Sequence, residues 1–346
     1  MAGGTASGTG ALTSPQLDPA RQMPLDKSIH RFLGALAVGG APDGADQPIE
    51  RRRAALEALM RLSGPMAPME RREDIQFASP AGPLSARLFA PPGLGPGPHP
   101  ALVYFHGGGL VAGSVQTHES IARALAAAAA AIVISVEYRL APEHPFPAAL
   151  DDALAVMQAV RLNATALGLD PARLGISGDS AGGTLAAAAC RLLVDAGRGI
   201  PALMVLICPI LDYAGNSASR RDLASGYLLE EATLANDLRH YLAAGVQADD
   251  PRISPLRARS LAGTPPTIVH TAEFDPLRDE GHEFAERARA AGSPVSYTCH
   301  SGMIHLFYGL GAITPVAAAA WTQIGADVRA AWPSADECQS KEAEPC

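Results

Sequence analysis

The chain has 346 residues, 48% of them hydrophobic and 18% charged, with a formal net charge of −8. This composition suits a globular protein with ample core and excludes a disordered chain. The length exceeds one average domain but admits a single large α/β domain carrying an insertion. No basic block occurs anywhere, so nucleic acid and an anionic membrane surface are not expected partners.

Five cysteines, Cys190, Cys208, Cys299, Cys338 and Cys346, are odd in number and lack CxxC spacing. They fit neither a disulfide framework nor a zinc site. Residues 1–12 have no basic n-region followed by an apolar stretch, so no signal peptide is expected. The most apolar run, 125–136, falls short of the roughly 18 residues that span a bilayer. A reducing cytoplasm is the expected compartment, without stable membrane insertion.

Residues 1–12, rich in Gly, Ser and Thr, read as a disordered arm. Two helices are predicted next, near 27–36 and from about 48 to 62, where Ala55, Leu56, Leu59 and Met60 recur at helical spacing. The short runs 74–77 and 84–89 suit an antiparallel hairpin, and a Pro/Gly stretch over 91–100 follows them. Beyond it, apolar runs at 101–105, 132–137, 174–177, 203–208, 267–272 and 295–298 read as strands. Ala-rich segments at 118–130, 148–162 and 182–194, then 280–291, are long enough for helices. Apolar strands alternating with helices imply a mostly parallel sheet covered on both faces.

One connection breaks the rhythm. Residues 210–266 have a polar start, a helical middle over 230–244 and a Pro-rich end. That is too long for an ordinary crossover and suggests an inserted cap.

The sharpest chemical signal is Gly178, Asp179, Ser180, Ala181, Gly182, which satisfies G-x-S-x-G between a predicted strand and a predicted helix. A nucleophile on such a turn projects its oxygen clear of the backbone, and glycines two before and two after avoid collisions. The second signal is His106, Gly107, Gly108, Gly109, directly after the strand 101–105. The N–H groups of Gly107 and Gly108, with that of Ala181, are the expected oxyanion hole for a tetrahedral intermediate. No phosphate-loop or dinucleotide signature occurs, and His106 reads as a structural histidine holding the loop.

Serine is a weak nucleophile without a neutral imidazole in reach and a carboxylate that fixes the ring's tautomer. Asp275 stands directly after the strand 267–272, whereas Asp279 and Glu280 open the next helix, where acids are favoured anyway. His300 reads as part of a strand, and His305 lies beyond Gly302 in a loop. Ser180, Asp275 and His305 are therefore the predicted triad, in the chain order this architecture uses. No cofactor and no metal are expected. Asp179 is read either as tuning the site or as a helix cap. Tyr138, Arg139, Glu143 and His144 are read as fixing their loop, and Met60, Met66 and Met69 as packing residues.

Four stretches together resemble the bacterial hormone-sensitive lipase-like esterases: 106–109, Tyr138 to Glu143, 178–183, and 275–281 with His305. The resemblance covers about residues 101–308 and implies an α/β-hydrolase fold with a helical cap. It implies a cap built from residues 1–64 and 210–266, over a core formed by 65–209 and 267–333, with a tail at 334–346. The implied activity is hydrolysis of short- to medium-chain carboxylic esters through an acyl-enzyme. The expected partner is a small ester, with a homodimer left open. An amidase with the same triad is the rival enzyme, and a receptor that has lost catalysis would be marked by a missing triad histidine.

Overall fold

The computed structural model describes residues 24–38 and 47–332. The arm expected at 1–12 and the tail at 334–346, with Cys338 and Cys346, lie outside the described residues. Two helices come first, α1 (Lys27–Val38) and α2 (Ile49–Met60), followed by the hairpin β1 (Arg71–Phe77) and β2 (Leu84–Ala90). Then come β3 (His99–Phe105), α3 (Glu119–Ala129), β4 (Ile132–Val136), α4 (Ala148–Leu162) and α5 (Ala164–Leu167). Next are β5 (Leu169–Asp179), α6 (Ala181–Asp195) and β6 (Met204–Ile207). The insertion carries α7 (Ala218–Asp222) and α8 (Glu231–Tyr241), and the described residues end on β7 (Thr267–Phe274), α9 (Arg278–Ala290), β8 (Val295–Ile304) and α10 (Val316–Ala331).

The eight strands form one sheet in the order β1-β2-β4-β3-β5-β6-β7-β8. Only β1 with β2 and β2 with β4 pair antiparallel; the other pairs are parallel. Helices cover both faces, α3 packing with α10 and α4 with α6. This explains why β4 is buried along its whole length and why its sequence, Ile-Val-Ile-Ser-Val, does not alternate. The strand order reverses around β3, and such a reversal opens a crevice at the carboxyl ends of the strands. The loops after β3, β5, β7 and β8 all leave the sheet there, carrying His106, Ser180, Asp275 and His305.

The predicted strands and helices are found; β5 begins at Leu169 and not near 174, the short α5 and α7 were not expected, and two further departures are larger. The last strand does not stop near 298 but runs to Ile304, because its pairing with β7 shifts between Ala272 and Phe274. Ala272 faces His300 and Phe274 faces Ile304, so residues 301–303 bulge opposite Glu273, whose carboxylate accepts the Gly302 N–H at 2.8 Å. A polar bulge breaks the apolar run that marks a strand. The second departure is α10, which the sequence reading did not anticipate. Its buried Ala317, Ala320, Trp321, Ile324 and Val328 recur at helical spacing among so many alanines that the signal is diluted.

The N-terminal helices and the insertion meet in space. Arg52 of α2 pairs with Asp237 of α8 at 3.0 Å, and Asn236 Nδ2 donates to the Gln47 carbonyl at 3.2 Å. Among the described residues no helix is long and apolar enough to cross a membrane.

Candidate active site

Ser180 occupies the single-residue turn between β5 and α6 with φ of 51° and ψ of −122°. A non-glycine residue held there costs of order 1–3 kcal/mol, and strain of this size persists only where surrounding contacts fix it. Here the Ser180 N–H donates to the Ile207 carbonyl at 2.9 Å, and its own carbonyl accepts the Ile210 N–H at 3.1 Å. The flanking glycines are required by space: a Cβ on Gly178 would lie 2.2 Å from the Gly182 carbonyl oxygen, and one on Gly182 would lie 2.0 Å from that of Phe105.

His305 Nε2 lies 3.1 Å from Ser180 Oγ, and His305 Nδ1 lies 2.8 Å from Asp275 Oδ2. A carboxylate can only accept, so the ring proton sits on Nδ1 and the lone pair on Nε2 faces the serine. The second oxygen of Asp275 accepts the Leu277 N–H at 2.9 Å, which fixes the carboxylate plane. Asp275 is fully buried, and Ser180 and His305 are exposed by only 7% and 6%. The three residues predicted as a triad are thus brought together. Asp279 points elsewhere, accepting the Ser219 N–H at 2.8 Å and so tying α7 to the first turn of α9. His300 lies in β8, with Nε2 3.0 Å from His270 Nδ1.

One predicted oxyanion donor is corrected. The Gly107 N–H donates to Asp179 Oδ1 at 2.9 Å and is therefore committed inward. Among the described residues the N–H groups of Gly108, Gly109 and Ala181 have no intramolecular partner. The loop that presents the two glycines is held from below by its histidine. His106 Nδ1 donates to the Gly107 carbonyl at 2.8 Å, and the ring stacks on Tyr138 with centroids 4.3 Å apart. Tyr138 OH donates to the His106 carbonyl at 2.7 Å. Burial, reinforced by neighbouring His118, pulls the His106 pKa down to about 3, so the ring stays neutral and structural.

Asp179 caps no helix N–H; its side chain turns under the oxyanion loop. It accepts Tyr104 OH at 2.5 Å, Tyr308 OH at 3.0 Å and the Gly107 N–H. Burial raises its pKa while the two tyrosine hydrogen bonds oppose that shift. Sequence reasoning did not reach this role, because Tyr104 and Tyr308 are distant in the chain and look like core aromatics. Around the site, Arg139 binds Asp152 at 2.8 Å and Arg53 binds Glu143 at 2.7 Å, so Tyr138, Arg139 and Glu143 hold their loop as expected. Met60 is buried in the core as a packing residue, whereas Met66 is exposed and departs from that expectation.

Cys208, Asp275 and His305 bring possible metal ligands within 4.8 Å of one another, the one such group among the described residues. Asp275 and His305 are already bonded to each other, and burial holds the Cys208 thiol protonated, its pKa raised well above the ordinary value.

A mostly parallel sheet of eight strands with a serine on the strained turn after its fifth strand defines the α/β-hydrolase class. Residues 102–309 match the family model for the alpha/beta hydrolase fold, and the chain belongs to that family, among its hormone-sensitive lipase-like esterases. It is 36% identical over 301 residues to the carboxylic ester hydrolase LipN of Mycobacterium tuberculosis, covering 85% of this chain and 77% of that protein. It is 36% identical over 299 residues to an ethyl acetate hydrolase of Pseudomonas putida, covering 84% and 94%. Among solved structures, the ester-hydrolase EH1AB1 from the metagenome of Lake Arreo, in complex with a bipyridine phosphonate derivative, superposes with a TM-score of 0.85. That match has 38% identity and covers 88% of this chain and 98% of the other.

Proposed function

We propose that the chain is a serine carboxylesterase for short- to medium-chain acyl esters, with Ser180 as nucleophile, His305 as base and Asp275 as the acid that orients it. The observation that carries this reading is the continuous line from Ser180 Oγ through the His305 ring to Asp275 Oδ2, with steps of 3.1 and 2.8 Å.

Ser180 Oγ attacks the ester carbonyl carbon while its proton moves to His305 Nε2. The carbonyl oxygen takes the electron pair and is met by the N–H groups of Gly108, Gly109 and Ala181. Collapse of the intermediate expels the alcohol, which receives the proton from Nε2, and leaves the acyl group on Ser180. Water attacks next, giving its proton to the same nitrogen, and the second collapse restores Ser180 and releases the acid.

The cap reading assigns residues 1–64 and 210–266 to a cover over the core segments 65–209 and 267–333. The contact between α2 and α8 supports it. A closed cap over a nearly buried serine limits acyl length, since each methylene gains about 0.8 kcal/mol only while it fits. A relative named for ethyl acetate is consistent with a short acyl group. The unpaired thiols of Cys190 and Cys208 support a cytoplasmic setting.

A panel of nitrophenyl esters of graded length tests the proposal. The expected maximum of kcat/KM lies at about eight carbons or fewer. A tenfold preference for chains of about sixteen carbons would overturn the chain-length reading, and equal rates on matched amides would overturn the esterase assignment.

A further inference from the structure

Helix α2 lies directly on the loop that presents Gly108 and Gly109. Leu56 packs on Gly108, where an added Cβ would lie 3.0 Å from Leu56 Cδ2. Arg53 Nε donates to the Val111 carbonyl at 2.8 Å. One turn before Leu56, Arg52 reaches across to α8 and grips Asp237, Nε lying 3.2 Å from each carboxylate oxygen and Nη2 3.0 Å from Oδ2.

The position of Asp237 is the unusual feature. Its side chain is 2% exposed, and its carboxylate rests against the backbone of Gly109, where a Cβ would lie 2.0 Å from Oδ2. With φ of +68°, Gly109 is glycine for both reasons: the conformation, and the space the carboxylate takes. A buried carboxylate is costly unless paired and fully hydrogen-bonded. A negative charge beside the peptide that must receive an oxyanion would also oppose the reaction. Arg52 removes both difficulties with one forked contact.

We infer that Arg52 and Asp237 form a latch between the two cap segments that seats the oxyanion loop and cancels charge beside it, making Arg52 a positioning residue for ester hydrolysis. The inference rests on the reading that Gly108, Gly109 and Ala181 stabilise the oxyanion. A latch of this kind acts on the transition state more than on the bound ester, because the oxyanion that a bare Asp237 charge would repel develops only during attack. Its removal therefore shows in kcat, and in affinity for a tetrahedral oxyanion mimic, with KM little moved. Removing Asp237 as well takes away the offending charge and restores much of the rate, which a purely structural role for Arg52 does not predict.

The test uses the full chain as wild type, R52M, D237N and R52M/D237N, with nitrophenyl butyrate turnover and the Ki of a reversible trifluoromethyl ketone. R52M is expected to lose about 10- to 100-fold in kcat with a parallel rise in Ki and a KM within about threefold. R52M/D237N is expected to regain about tenfold of that loss. A kcat for R52M within about threefold of wild type, a loss confined to KM, or a double variant no faster than R52M would each overturn the latch. Should R52M not fold, R52Q takes its place: it keeps an N–H donor but removes the charge, and a kcat and Ki unchanged from wild type overturn the inference. Wild type that neither cleaves the ester nor binds the ketone would overturn the hydrolase reading itself, whereas R52M identical to wild type overturns the latch alone.

Discussion

Replacing Asp179 separates the charge of that residue from its geometry. Its two oxygens have different work: Oδ1 accepts Tyr104 OH and the Gly107 N–H, and Oδ2 accepts only Tyr308 OH. In Asp179→Asn the amide oxygen can keep the Oδ1 pair, and its NH2 faces a tyrosine oxygen able to accept. Only the ionic strengthening of these bonds is lost, a cost of about 1–2 kcal/mol in stability. Asp179→Ala instead leaves three donors buried without partners, at about 1–3 kcal/mol each, partly offset because a buried carboxylate disappears; a net loss of about 3–5 kcal/mol is expected. The same change frees the Gly107 peptide, and with it the loop presenting Gly108 and Gly109. We expect kcat to fall about tenfold in the Asn variant and about a hundredfold in the Ala variant, with KM nearly constant. Urea unfolding and nitrophenyl butyrate kinetics measure both effects. An Ala variant with wild-type kcat refutes the anchoring role, and an Asn variant as damaged as the Ala variant shows that charge matters and geometry does not.

Asp275→Asn should reduce kcat by about 10³- to 10⁴-fold through the wrong imidazole tautomer, and Asp279→Asn by less than about tenfold. The reverse ranking would reassign the acid. Burial lowers the pKa of His106 to about 3 and of His118 to about 4, so both rings are neutral when folded. The unfolded chain takes up these protons below about pH 6.5, so stability is present above that pH and is lost as pH falls towards the folded values. At pH of about 5 each ring should lower stability by about 2 kcal/mol. Burial raises the Glu280 pKa to about 8, which works in the opposite direction, so the check compares wild type with His118→Gln. A urea midpoint that changes equally in both between about pH 7 and pH 5 would contradict this.

The strand and helix rhythm of the core was legible because buried parallel strands are continuous apolar runs, and the elbow at Ser180 because its spacing is imposed by sterics. His305 and Asp275 were legible from their places after the last two parallel strands. Gly107 was not, because a glycine triplet does not say which N–H faces inward; that depends on Asp179, more than seventy residues away in the chain. The Arg52–Asp237 contact was equally hidden, since it joins two segments 185 residues apart and neither belongs to a motif. The far end of β8 leaves no strand signal because its bulge at 301–303 carries polar and glycine residues. Local pattern reports what local sterics demand, and long-range partners leave no trace in it.

Ester hydrolysis by this protein is proposed to pass through a covalent acyl-enzyme on Ser180, with His305 as the base. The most direct measurement is intact-protein and peptide mass spectrometry after treatment with a nitrophenyl alkylphosphonate, which reacts as the ester does but halts at the tetrahedral stage. A single phosphonyl adduct on the peptide carrying Ser180 is predicted, formed in step with loss of esterase activity. The adduct should be absent in Ser180→Ala and slowed by about 10³-fold or more in His305→Ala. Complete inactivation with the adduct on another residue, or Ser180→Ala retaining more than a few per cent of wild-type kcat, would contradict the account.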